Sequence, residues 1–322
     1  MPSDFAAASS LAGPQQSSRA AAVAVASSWD GAIDLSAADS AWTAQQRGST
    51  GGRQRMLTDD DSLALSMKTL AVFLGALPLG AMLLDVGLAL LLHFESSTAT
   101  HCRDAYNVLP SVSATIGVHS PEKHIWQLAI ALHCLPRFYV PFLYRAFYLT
   151  SPLRPVSSRS GWSLFRLACS TVALLHLLEN ACLLLLSFVP STENYEVHAA
   201  AFTTFVLSSV CYMALSLYLF DSSGRRRSST SGEKSFQWKL VTFTVSLVCI
   251  TLCAYFYRRH NAACESYVYS LFALSEYATV AANVLFHGTF YYDFGDKRLR
   301  LLTNGALESF FDDGADLAWK AT

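Results

Sequence analysis

Six apolar stretches, each long enough to cross a lipid bilayer, decide what this chain can become. They run over about 69–92, 124–149, 162–189, 198–220, 238–257 and 266–292. Roughly 20 apolar residues in a helix span the hydrocarbon core of a bilayer. That core holds no water, so the backbone has to satisfy its own hydrogen bonds there. None of the six stretches alternates as a barrel strand does. Of 322 residues, 52% are hydrophobic and only 15% are charged, and the charges gather between the stretches. The pattern predicts an all-α polytopic membrane protein with six transmembrane helices.

Three parts follow from composition. Residues 1–65 are rich in Ala, Ser, Gly and Gln and have few large apolar side chains. Such a segment buries too little surface to offset its ordering entropy, which predicts a disordered tail. Residues 66–295 form the six-helix domain, and 296–322 form a C-terminal tail. Lys and Arg set the orientation. One side collects Arg53, Arg55, Lys68, Arg154, Arg159, Arg225, Arg226, Arg227, Lys234, Lys297, Arg298 and Arg300. The other holds Arg103, Lys123, Arg258 and Arg259. Both termini are therefore expected in the cytosol, with 94–123, 190–197 and 258–265 on the luminal or external side. A net charge of −1 and the lack of a basic block interleaved with aromatics argue against nucleic acid as a partner. No nucleotide, haem or metal motif is present, so no cofactor is expected.

Six of the eight cysteines lie in apolar segments and read as small packing residues. Cys102 and Cys264 lie in predicted luminal loops. An oxidising lumen favours a disulfide between them, against two free thiols or a reactive Cys102 beside His101.

Ionisable groups inside spanning helices are costly and mark function or pairing. Here they form faces. His133 and Arg137 are one helical turn apart, and so are His176, Glu179 and Asn180. Glu276, Asn283 and His287 share a third face. Counting about 1.5 Å per residue brings His133, Glu179 and Glu276 to similar depth, with Arg137 about a turn deeper. Three readings stay open: a polar tie between helices, a site for a lipid head group, or a catalytic centre. In the last two, His133, Glu179, Glu276 and His101 are the candidates for catalysis. Arg137, His176, Asn180, Asn283 and His287 are the candidates for head-group binding. Asp85 has no evident partner. The loop 94–123 carries hydroxyls, His101 and Asp104, which are ingredients of acyl transfer, but no GxSxG elbow.

Longer motifs run through the same region. His93 to Cys102, then Leu109-Pro110-Ser111-Val112-Ser113, resemble the first luminal loop of the post-GPI-attachment factor 2 family. So do Leu132-His133-Cys134-Leu135-Pro136-Arg137-Phe138, Leu178-Glu179-Asn180-Ala181, Arg259-His260-Asn261, Glu276-Tyr277, Phe286-His287 and Asp293-Phe294-Gly295. These matches are collinear over about 70–294. The wider group takes in DRAM and Sfk-type proteins and the N-terminal part of fungal Cwh proteins. The resemblance implies a multi-pass protein of the Golgi membrane, and also of the endoplasmic reticulum. It implies lipid remodelling of glycosylphosphatidylinositol (GPI) anchors, as the acyltransferase that repairs lyso-GPI or as an aid to it. GPI lipid, GPI-anchored proteins and membrane lipid are the implied partners. A non-enzymatic lipid sensor or scaffold is the alternative, and a transporter is a further one.

Overall fold

The structure is a computed structural model that describes residues 62–302, apart from positions 118, 154, 156 and 157, together with 307–310. The described residues belong to one compact unit, Ser62–Thr322. Most of the expected tail 1–65, and 311–322 at the other end, lie outside the described residues.

The chain is an all-α polytopic membrane protein in its bulk. Five segments are long and apolar enough to cross a membrane. They are α1 (Met67–Leu92), α6 (Arg159–Phe188), α7 (Tyr195–Ser222), α8 (Thr230–Ala263), and α9 (Val268–Gly288) with its extension α10 (Phe290–Asp293). Side-chain acceptors start three of them, where the first amides have no intrahelical partner. Ser158 accepts from Gly161 N, Asn194 from Val197 N and Ser229 from Gly232 N. Large apolar residues such as Leu83, Leu91, Leu135, Leu164 and Tyr218 point outward, as lipid-facing surfaces require.

The second apolar segment departs from a single helix. It folds as α4 (Glu122–Arg137) and α5 (Val140–Leu149), separated by Phe138 and Tyr139. Proline chemistry gives the reason. Pro141 has no amide to donate, and its ring collides with the carbonyl four residues back, that of Arg137. α4 therefore ends at Arg137, and Tyr139 N turns back to Pro136 O at 3.1 Å.

The helices contact one another in a closed ring. α1 packs on α4, α4 and α5 on α6, α6 on α7, α7 on α8, α8 on α9, and α9 on α1. Two apolar cores lie inside. One is built around Tyr144, Tyr148, Phe220, Phe286, Phe290 and Phe294, on the side of the termini. The other is built around Met82, Trp126, Ile130 and Cys134. At that second end the loop holds two short helices, α2 (Phe94–Thr98) and α3 (Val112–Gly117). Cys102 and Cys264 are joined there by a disulfide.

A small sheet was not anticipated. β1 (Ser62–Ser66) pairs antiparallel with β2 (Arg298–Leu302), and β2 with β3 (Leu307–Phe310). Ser-Leu-Ala-Leu-Ser and Arg-Leu-Arg-Leu-Leu both alternate, which is a strand signal at the edges of the expected tails. The sheet clasps the entry to α1 against the exit from α10. Gly295 sits at that crossing, where a Cβ would lie 2.4 Å from Tyr291 O and 2.8 Å from Lys68 Cε.

Gly295→Ala is therefore expected to lower the unfolding temperature in detergent. Gly87→Ala, where a Cβ meets nothing within 4 Å, is expected to leave it unchanged or raise it, because Ala is favoured over Gly in a helix by up to about 1 kcal/mol.

Candidate functional site

Between the two apolar cores lies a buried polar cluster, and it begins with another proline. Pro78 inside α1 has no amide for the Leu74 carbonyl. His133 of α4 fills the vacancy, donating from Nδ1 to Leu74 O at 2.8 Å. That bond leaves His133 Nε2 as an acceptor, a tautomer assigned from the hydrogen-bond network.

Arg137, one turn further along α4, uses all three guanidinium nitrogens. Nη1 donates to His133 Nε2 at 3.1 Å and Nε to His176 Nε2 at 3.3 Å. Nη2 donates to Glu179 Oε1 at 2.9 Å and lies 2.6 Å from His287 Nε2. Glu179 Oε1 also accepts from Asn283 Nδ2 at 2.9 Å, and Asn283 donates to Ser209 Oγ at 2.7 Å. His287 Nε2 is 3.0 Å from Glu179 Oε1. The His176 and His287 rings and Tyr212 pack against one another at centroid distances of 4.6 to 5.0 Å. Arg137 and Glu179 are 3% and 0% exposed. A cation at the end of α4 also meets the negative end of that helix's dipole. The cluster thus ties α1, α4, α6, α7 and α9 at one level.

Chemically, the guanidinium of Arg137 is fully engaged, with each of its three nitrogens on a partner. The cavity beside it, lined by Leu74, Gly75, His133, Arg137, His176 and His287 among others, measures about 20 Å³. That is room for about one water, and a lipid head group does not fit. Two atoms of the cluster, Glu179 Oε2 and His176 Nδ1, have no hydrogen-bond partner among the described residues.

The structure brings together six of the sequence candidates: His133, Arg137, His176, Glu179, Asn283 and His287. It places the other three elsewhere. Asn180 donates to the Cys134 carbonyl at 3.2 Å, locking α6 to α4. Glu276 does not join Glu179, although the helical count gave them a common depth. It lies two turns from Asn283 along α9, and Oε2 accepts from Val112 N at 2.9 Å. The loop reaches into the bundle to meet it. Ser270 Oγ accepts from Val108 N at 2.8 Å, and the Tyr277 hydroxyl donates to Pro110 O. Leu109 to Ser113 is thus a strap bound to α9. His101 is exposed beside the disulfide. Its ring nitrogen and the two sulfurs lie within 4.8 Å of one another, but the sulfurs are bonded to each other and offer no thiolate pair for a metal. Nearby, Arg259 donates to both oxygens of Glu265 at 2.9 and 3.0 Å. These bonds hold the Glu265 carboxyl below its ordinary value.

Sequence reasoning missed a second buried ion pair. Lys239 Nζ lies 2.5 Å from Asp293 Oδ2, which also accepts from the Tyr144 hydroxyl at 2.6 Å. The ammonium sits 4.5 Å from the Phe220 ring centroid. Lys239 stands at the edge of its apolar stretch and reads as flank charge. The Asp293-Phe294-Gly295 motif was the available signal.

A polytopic membrane bundle with ion pairs at its core and a loop strapped across one end is the class these features define. The description "Frag1/DRAM/Sfk1/Cwh43P N-terminal domain" matches residues 66–297, and the chain belongs to that family. It is 43% identical over 248 residues to "Post-GPI attachment to proteins factor 2" of Caenorhabditis briggsae, covering 77% of this chain and 93% of the relative. It is 39% identical over 243 residues to "Acyltransferase PGAP2" of Xenopus tropicalis, covering 75% and 93% respectively. No solved structure matches.

Removing one partner of a buried ion pair costs about 3–5 kcal/mol, whereas replacing both can be neutral. Arg137→Met and Glu179→Leu are each expected to lower stability strongly in detergent. The double variant should fall short of their sum by about 1–3 kcal/mol. Additive losses within about 0.5 kcal/mol would contradict the pairing.

Proposed function

We propose that this protein takes part in lipid remodelling of GPI anchors during maturation and transport of GPI-anchored proteins. It does so by reacylating lyso-GPI or by assisting the enzyme that does. One observation carries the reading. Identity of 43% extends over 93% of a relative named for post-GPI attachment, and a 39% identical relative is named an acyltransferase. The Golgi membrane, with the endoplasmic reticulum membrane, is the proposed location.

Connectivity supports six crossings with both termini on one side. Between Cys102 and Cys264 the chain passes through α4–α5, α6, α7 and α8. A disulfide between those residues requires an even number of crossings, so α4 and α5 together supply one. The β1–β2 pairing makes the same demand of the whole bundle. Lys68, Arg159, Arg225, Arg226, Arg227, Lys234 and Lys297 lie at the end that carries the sheet, which supports a cytosolic assignment for that end. The disulfide end is then luminal, where GPI-linked proteins hang. Residues 66–295 form the working domain in this reading, and the flanking segments 1–65 and 296–322 lie in the cytosol.

A second reading concerns the Arg137 cluster alone. The full engagement of its guanidinium and its 20 Å³ cavity favour a structural tie over a head-group or catalytic site. Substrate chemistry then belongs to the luminal end. The test is rescue in cells lacking the endogenous factor, read as surface retention of a GPI-anchored reporter and as its anchor lipid by mass spectrometry. Wild type is expected to restore both. Failure to restore the lipid would overturn the proposed function. His133→Ala is expected to reduce the amount of folded protein, not the lipid conversion per folded molecule.

A further inference from the structure

A second group of titratable side chains lies outside the Arg137 cluster, at the disulfide end of α1 and α4. His93 caps α1, and Glu122 is the first residue of α4. His93 Nδ1 is 2.8 Å from Glu122 Oε1, with Glu122 wholly buried and the His93 side chain 27% exposed. The imidazole therefore donates to the carboxylate from Nδ1 and presents its lone pair on Nε2. His119 stacks on the same ring, 4.2 Å away and 8° from parallel. Asp85 of α1 is 1% exposed and within electrostatic reach of Glu122. Three buried oxygens of this group, Asp85 Oδ1 and Oδ2 and Glu122 Oε2, have no hydrogen-bond partner among the described residues.

A buried carboxylate whose hydrogen-bond donor is a part-exposed imidazole has the form of a base held by an orienting acid. The acid fixes the tautomer and stabilises the imidazolium that forms in the reaction. The place also suits a lipid. The 26-residue α1 is about 39 Å long, more than the ~30 Å hydrocarbon core, so its end reaches the level of the head groups and ester bonds. Leu91 and Leu92, just before His93, are 82% and 60% exposed, an apolar surface for an acyl chain. Three other histidines at this end contact hydroxyls: His119 with Ser96 Oγ at 3.1 Å, His260 with Thr100 Oγ1 at 3.0 Å and His198 with Ser113 Oγ at 3.3 Å, and the other ring nitrogen of His198 contacts the Val189 carbonyl.

We propose that His93 is the general base of an acyl transfer between a lipid ester and a free lipid hydroxyl, with Glu122 as its positioning residue. This inference rests on the acyl-transfer reading above. In the step, His93 Nε2 takes the proton of the acceptor hydroxyl while its oxygen attacks the donor's ester carbonyl carbon. The new C–O bond forms, the bond between that carbon and the donor's alcohol oxygen breaks, and the proton passes from Nε2 to that oxygen. No oxidant or further reactant is needed.

The test uses the full chain in microsomes from cells lacking the endogenous factor, supplied with a glycerophospholipid carrying a radiolabelled saturated acyl ester and with a lyso-GPI reporter. The readout is label in the GPI lipid. Wild type is expected to incorporate label, and His93→Ala to lose at least about 100-fold, as for loss of a general base. Added imidazole should restore part of that activity, which a structural role would not permit. Glu122→Gln is expected to lower kcat about tenfold at constant KM, and it decides the matter if His93→Ala does not fold. His93→Ala activity within about threefold of wild type would overturn the assignment. So would a folded, inactive variant that imidazole leaves inactive, or a Glu122→Gln variant with unchanged kcat. If wild type itself incorporates no label, the acyl-transfer reading fails, and the base assignment falls with it.

Discussion

A guanidinium buried in a membrane bundle has to be surrounded, and the surroundings of Arg137 organise this protein. Three histidines and one glutamate contact its nitrogens: His133 from one turn earlier on α4, His176 and Glu179 from α6, and His287 from α9. Leaving such a cation unpaired in hydrocarbon costs several kcal/mol. The helices that carry its partners are therefore fixed in register relative to one another. Prolines prepare the arrangement at both ends: Pro78 exposes the Leu74 carbonyl that orients His133, and Pro141 stops α4 at the cation.

The same logic recurs at the terminal end on a smaller scale. Lys239, Asp293 and Tyr144 join α8, α10 and α5, and Gly295 allows the chain to turn away beside Lys68. The disulfide end is built differently. There the loop is bound by hydrogen bonds from α9 and by Cys102–Cys264, with Glu276 accepting from the strap rather than joining the central cluster. The bundle thus carries a frame of buried ion pairs beneath a strapped, polar end.

Much of this was legible from residues. The apolar stretches gave the spanning helices. The one-turn spacing of His133 with Arg137, and of His176 with Glu179, gave the faces that meet. Cys102 and Cys264 stood out as the two loop cysteines. Three things were not legible. A helical count places Glu276 by depth but says nothing of a loop that descends to meet it. Lys239 lies where flanking lysines normally lie, so its burial depends on Asp293, 54 positions away. Glu122 and His93 read as loop and interface residues because neither pattern nor spacing reveals a contact across 29 positions. The break after Arg137 was visible as Pro136 and Pro141, although the segment's apolar character argued for one continuous span.

The central claim is that the Arg137 cluster is framework and that lipid meets the protein at the disulfide end. Photo-crosslinking tests it most directly. A glycerolipid with a diazirine on its acyl chain and a clickable handle on its lyso head would be irradiated with the full chain in membranes, and the modified peptides mapped by mass spectrometry. The account predicts acyl-chain adducts at Leu91 and Leu92 and none on Arg137, His176 or His287. Adducts concentrated on those three residues would contradict it and return the cluster to the role of a lipid site.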